Sequence, residues 1–68
     1  MKIYTIRMFI YDSYTGGSYE TISAHKTKEG REEKFAALLK AHGVVAEGDV
    51  VPGSAGFSLH RGEMNLYD

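Results

Sequence analysis

Sixty-eight residues with a 43% hydrophobic share make one small domain, near the lower limit at which a single apolar core holds a fold without staples. Cysteine is absent, which excludes disulfides and thiolate metal sites, and eight basic residues against nine acidic ones leave a net charge of −1. That balance argues against both a charge-based DNA mimic, which needs a far more acidic surface, and a strongly basic nucleic-acid binder.

The opening run MKIYTIRMFIYD is too short and too interrupted for a membrane span or a signal peptide, so no membrane partner is expected and the expected location is the cytoplasm. With an initiator Met and folding signals from residue 2, the chain reads as a complete small gene product forming one domain over 1–68.

Lys2 to Tyr11 reads as a first strand, with Tyr4, Ile6, Met8 and Ile10 on one face by the period of two. Ser18 to Lys26 reads as a second. A loop of Thr15-Gly16-Gly17, with Gly17 in a left-handed turn position, pairs Ile10 with Ile22 and Met8 with Ala24. Both apolar sets then share the core face. The opposite face carries Arg7, Phe9, Tyr11, Tyr19, Thr21, Ser23 and His25, with Arg7 facing His25, Phe9 facing Ser23 and Tyr11 facing Thr21. The same register sets Asp12 against Glu20, a mildly destabilising pair.

Residues 28–42 form the expected helix. Thr27 is its N-cap, Glu29, Glu32 and Glu33 sit near its positive end, and Arg31, Phe35, Leu38, Leu39 and His42 follow helical spacing. Gly43 occupies the left-handed position after the last turn, with Val44 or Val45 folding back onto the helix. Gly30 in the first turn costs about 1 kcal/mol relative to Ala and leaves Arg31 as an alternative start.

Two short β-prone pieces, 44–46 and 50–51, flank the turn Glu47-Gly48-Asp49, and 52–56 reads as a loop. A second hairpin turning at Arg61-Gly62 would place Phe57, Leu59, Met64 and Leu66 on one face. The expected fold is therefore α+β: an antiparallel sheet, ββαβ or ββαββ, with one helix packed on one face.

Side chains that carry chemistry form no catalytic or metal signature. His25, His42 and His60 lack ligand spacing, and Gly53-Ser54-Ala55-Gly56 leads into a strand without a following Lys, unlike a phosphate cradle. Five serines have no neighbour that orders them as an activated nucleophile, so neither an enzyme nor a cofactor is expected. The uncovered sheet face is the remaining candidate. Its aromatic rings and Arg7 suit ordinary cross-strand packing, a protein interface or base stacking, and Tyr11, Tyr14 and Tyr19 crowd the hairpin tip in a way that suits recognition.

In layout, the opening Met1-Lys2-Ile3-Tyr4-Thr5-Ile6, the Tyr-rich first hairpin, the helix start Thr27-Lys28-Glu29 and the ending Asn65-Leu66-Tyr67-Asp68 resemble small proteins encoded by bacteriophages and prophages. The resemblance implies a non-catalytic role of the kind played by anti-CRISPR and other anti-defence inhibitors, which cover a functional surface of a host protein. The expected partner is then a host protein, contacted through Arg7, Phe9, Tyr11, Tyr14 and Tyr19. Two alternatives stand beside it. One is a single-stranded nucleic-acid binder stacking bases on Phe9 and Tyr11, with Arg7 and Lys26 near the backbone. The other is a homodimer whose sheet faces bury each other.

Overall fold

Four elements follow one another along the chain: β1 (Lys2–Ile10), β2 (Ser18–His25), α1 (Lys28–His42) and β3 (Ser58–Asn65). The computed structural model describes residues 1–66; Tyr67 and Asp68, the end of the closing segment quoted above, lie outside the described residues. β1 is central in the antiparallel order β2-β1-β3, so β2 and β3 run parallel to each other on either side of it. A connection between parallel strands must cross a sheet face, and α1 makes that crossing. This is the expected α+β layout in its ββαβ form. Among the described residues no helix is long and apolar enough to cross a membrane.

The first hairpin departs from its expected register. Asp12 Oδ1 accepts the Tyr14 N–H at 2.8 Å and the Asp12 carbonyl accepts the Gly16 N–H at 2.7 Å, so the chain turns on Asp12 and the loop spans residues 11–17. Ile10 accordingly meets Ser18 rather than Ile22, Met8 meets Glu20 rather than Ala24, and Phe9 meets Tyr19 rather than Ser23. Arg7 pairs with Thr21 but Ile6 pairs with Ser23, which leaves Ile22 as the extra residue of a β-bulge. Because the side-chain period is two, one inserted residue exchanges the faces beyond it. Ala24 therefore turns away from the core, opposite Thr5, while Ser23 and His25 turn toward the helix.

β3 also corrects the expectation of a second hairpin. Arg61 and Gly62 lie in mid-strand, opposite Ile6 and Thr5, and the ladder runs unbroken from Ser58 to Asn65. A turn at Arg61-Gly62 would have taken Glu63 to Asn65 off β1, which offers a partner along its whole length. Gly62 serves another purpose: a Cβ there would stand 3.0 Å from Thr5 Oγ1 and 3.2 Å from Arg7 Cδ. Leu59 consequently faces the helix while Met64 lies on the opposite side of the sheet. The pieces around Val44 and Val50 form no strand; Val50 makes only an isolated bridge to Ser58.

Both helix ends follow local chemistry. Thr27 Oγ1 accepts the Gly30 N–H at 3.1 Å, and a Cβ on Gly30 would sit 3.0 Å from that oxygen, so the helix tolerates the glycine and begins at Lys28, as expected, and not at the alternative start Arg31. At the other end Gly43 adopts φ 68°, the Val44 N–H reaches the Leu39 carbonyl at 2.9 Å, and Val44 buries itself while Val45 stays exposed. His42 is exposed and takes no part in the buried face.

The apolar core is small: Ile6, Phe35 and Leu59, with Met8, Leu38 and Leu39 at its margin. Arg31 occupies the remaining inward helix position. Its Nη1 donates to the Gly62 carbonyl at 2.8 Å, its Cζ lies 5.2 Å from the Tyr4 ring centroid, and Nε and Nη2 donate to Glu32 Oε1. Glu32 Oε2 in turn accepts from Arg61 Nη1 at 2.7 Å, and Arg61 Nε donates to Glu47 Oε1 at 2.6 Å. This chain of four charges ties α1, β3 and the loop of residues 44–57 together.

Ile6→Ala truncates one of the two fully buried large side chains, the other being Leu59. The expected loss of about 2–5 kcal/mol is comparable with the whole stability of a domain this size. Circular dichroism at 25 °C should therefore show a largely unfolded chain.

Arg61 and then Arg31 hold the Glu32 carboxyl below its usual range, and Arg61 does the same for Glu47. A depressed folded-state value stabilises the fold above the unfolded carboxylate pKa, and that contribution disappears as pH falls through the folded one. The melting temperature should hold steady from neutral pH to about 5 and drop below about 4.3, the ordinary glutamate value. In Arg61→Met that acid-side fall should be shallower, as read by thermal melts across pH.

Candidate functional site

Among the described residues no helix or strand lies over the face of the sheet away from α1, although Thr5 and Ser58 on it are buried by their neighbours. Strand pairing places Ile3, Thr5, Arg7 and Phe9 of β1 there, with Tyr19, Thr21 and Ala24 of β2 and Ser58, His60, Gly62 and Met64 of β3. Tyr19 is the centre of its contacts. Its ring lies 5.1 Å from that of Phe9, tilted by 57°, and 5.3 Å from that of His60, edge-on at 76°. The Arg7 guanidinium stands over it at 5.0 Å. Tyr19 thus reaches across β1 from one neighbouring strand to the other, and remains 51% exposed.

Several neighbours hold this arrangement. Ser58 Oγ and His60 Nε2 lie 2.7 Å apart, which fixes the imidazole against the Tyr19 edge. Gly17, at φ 118°, leaves room for the Phe9 ring: a Cβ there would stand 2.4 Å from Phe9 Cζ. Arg7 is exposed and makes no ion pair among the described residues. None of the strand residues on this face is a carboxylate, whereas Glu20 and Glu63 lie on the helix side of the sheet. A chain of net charge −1 therefore presents one locally cationic, aromatic face.

Of the residues singled out in the sequence, Arg7, Phe9 and Tyr19 come together, with Thr21 beside Arg7. Tyr11 leaves the strand and its Cβ packs over Gly56, while its ring stays half exposed. Tyr14 is 96% exposed at the loop tip and belongs to none of the ring contacts. Ser23 and His25 lie on the opposite side, where His25 Nε2 sits 2.6 Å from Ser23 Oγ and the imidazole approaches Gly30. The bulge at Ile22 put them there.

His60 is the member of the cluster that reading the sequence missed. Its signal was the alternation Ser58, His60, Gly62, Met64, visible once β3 is taken as one strand and hidden by a turn at Arg61-Gly62. The two Ser-x-His pairs resemble nucleophile–base contacts in distance alone: Ser58 is buried, and the described residues enclose no pocket. Among those residues no group of three or more His, Asp or Glu converges on a metal position.

Comparison with protein-family models, with curated proteins and with solved structures returns no match to the chain.

Gly17→Ala should displace the Phe9 ring and force a strained backbone, at a cost of about 1–3 kcal/mol. The matching spectroscopic sign is loss of ring-current shifts on the Phe9 and Tyr19 proton resonances, with α1 signals unchanged.

Proposed function

We infer that the chain is a small non-catalytic binding protein that contacts a larger protein through its open sheet face and the loop of residues 11–17. The observation that carries this reading is the Tyr19 cluster. Three strands contribute side chains to one exposed group of rings, stacked and locked before any partner arrives. Rings held this way lose little conformational freedom on binding, and Tyr and Arg are the side chains that most often dominate protein interfaces. Tyr14, free at the tip, adds a probe that reaches beyond the sheet. A shallow face of this kind covers a partner surface rather than enclosing a small molecule.

The resemblance in layout to phage-encoded anti-defence proteins gives the biological form of the reading: steric inhibition of a host defence protein in the host cytoplasm. A second reading draws on the carboxylate-free face with Arg7 stacked on Tyr19, which also suits single-stranded nucleic acid.

Affinity capture from a bacterial lysate with nuclease, followed by mass spectrometry, separates the two. A stoichiometric protein partner is expected to remain. Tyr14→Ala should then weaken that partner about tenfold or more, the loss typical of an interface hot spot, with the thermal midpoint unchanged. Capture that disappears with nuclease and falls steeply with salt would assign the face to nucleic acid instead.

A further inference from the structure

We propose that the outer edge of β2 is a strand-addition site that takes an extended, β-prone segment of a partner protein with a Lys or Arg opposite Glu20. The two edges of the sheet are treated differently by the fold. Along β3, the Gly48 N–H donates to the Leu59 carbonyl at 3.0 Å, Glu47 Oε1 accepts the Arg61 N–H at 3.2 Å, and Val50 bridges Ser58. The loop of residues 44–57 thereby covers that edge over Ser58–Arg61, and beyond it the Lys2–Glu63 ion pair places charge on the last residues of the strand. On β2, among the described residues, no backbone group has a partner on the side away from β1.

An edge strand turns alternate N–H and C=O groups outward, and proteins usually guard such a row with charges, proline or cover. β2 has one charge, Glu20, and no proline, and its Tyr, Thr and Ile favour extended pairing. Its other guard is the bulge at Ile22, which leaves Ser18–Thr21 as the straight stretch where a new strand can dock. Backbone bonds would supply the attachment and the alternate side chains the selectivity, as in other strand-addition complexes.

Charge decides the occupant. Glu20 is exposed and has no ion-pair partner among the described residues. Two copies of this chain paired antiparallel about a two-fold axis over Ser18–Thr21 would set their Glu20 side chains opposite or diagonal to each other, which is unfavourable. A basic residue at that place gains an ion pair instead. The added strand would also extend the open face beyond Tyr19, so one partner can use both surfaces.

The test uses the isotope-labelled full chain and three short end-capped peptides of Thr and Val: one with a central Lys, one with Glu in its place, and the Lys peptide N-methylated on alternate amides. Saturable amide shifts on Ser18–Thr21 are expected with the Lys peptide, about fivefold weaker binding with the Glu peptide, and none with the N-methylated one. Glu20→Lys should invert the preference between Lys and Glu. Tyr14→Ala should leave peptide binding unchanged, which keeps this site distinct from the contact loop. Absence of saturation with every peptide, or no reversal in Glu20→Lys, would overturn the proposal. So would β2 shifts that depend on protein concentration without peptide, since they would assign the edge to a second copy.

Discussion

One helix of 15 residues laid over three strands can cover a single sheet face, and most of the molecule follows from that limit. The enclosed apolar set is too small to fix the helix by burial alone, because among the described residues only Ile6, Phe35 and Leu59 form the buried cluster. Polar contacts complete the job. Arg31 takes an inward position that a leucine would fill in a larger domain, and spends its guanidinium on the Gly62 carbonyl, the Tyr4 ring and Glu32. From there the ion chain passes to Arg61 on β3 and Glu47 in the loop, so the helix, the far strand and the connection between them are positioned together. The desolvation of a buried charge offsets much of what its partners return, so the gain from this chain is positional and its net stabilisation small.

The uncovered face owes its character to two events in the first hairpin. Asp12 closes a turn early, which slides the hairpin, and the bulge at Ile22 then rotates the rest of the strand by one position. The first brings Tyr19 beside Phe9 and within reach of Arg7 and His60. The second sends Ser23 and His25 under the helix. Acidic side chains of the strands end up on the helix side, where Glu63 meets Lys2, and the aromatic face is left without a carboxylate. Net charge alone is blind to this segregation.

Contact face and open edge adjoin one another along β2. A partner that adds a strand to the edge also lies alongside the Tyr19 cluster, while the edge at β3 is covered by the loop over Ser58–Arg61. The asymmetry gives the proposed interaction a direction across the sheet.

Much of the fold was legible in the sequence. Period-two alternation identified β1 and β2, the Thr27 cap and Gly43 bounded the helix, and the inward spacing of Phe35, Leu38 and Leu39 was correct, because these signals lie within a few residues of each other. Arg7, Phe9 and Tyr19 were placed on the open face for the same reason. What only the tertiary structure decided was pairing at a distance. The Asp12 turn, the bulge at Ile22, the straight run of β3 through Arg61-Gly62 and the arrival of His60 beside Tyr19 depend on which partner each strand meets. Glycine-rich segments accept several turns at similar energy, so local sequence leaves the register open. The ladder to β1 and the fit of Arg31 beneath the helix select one.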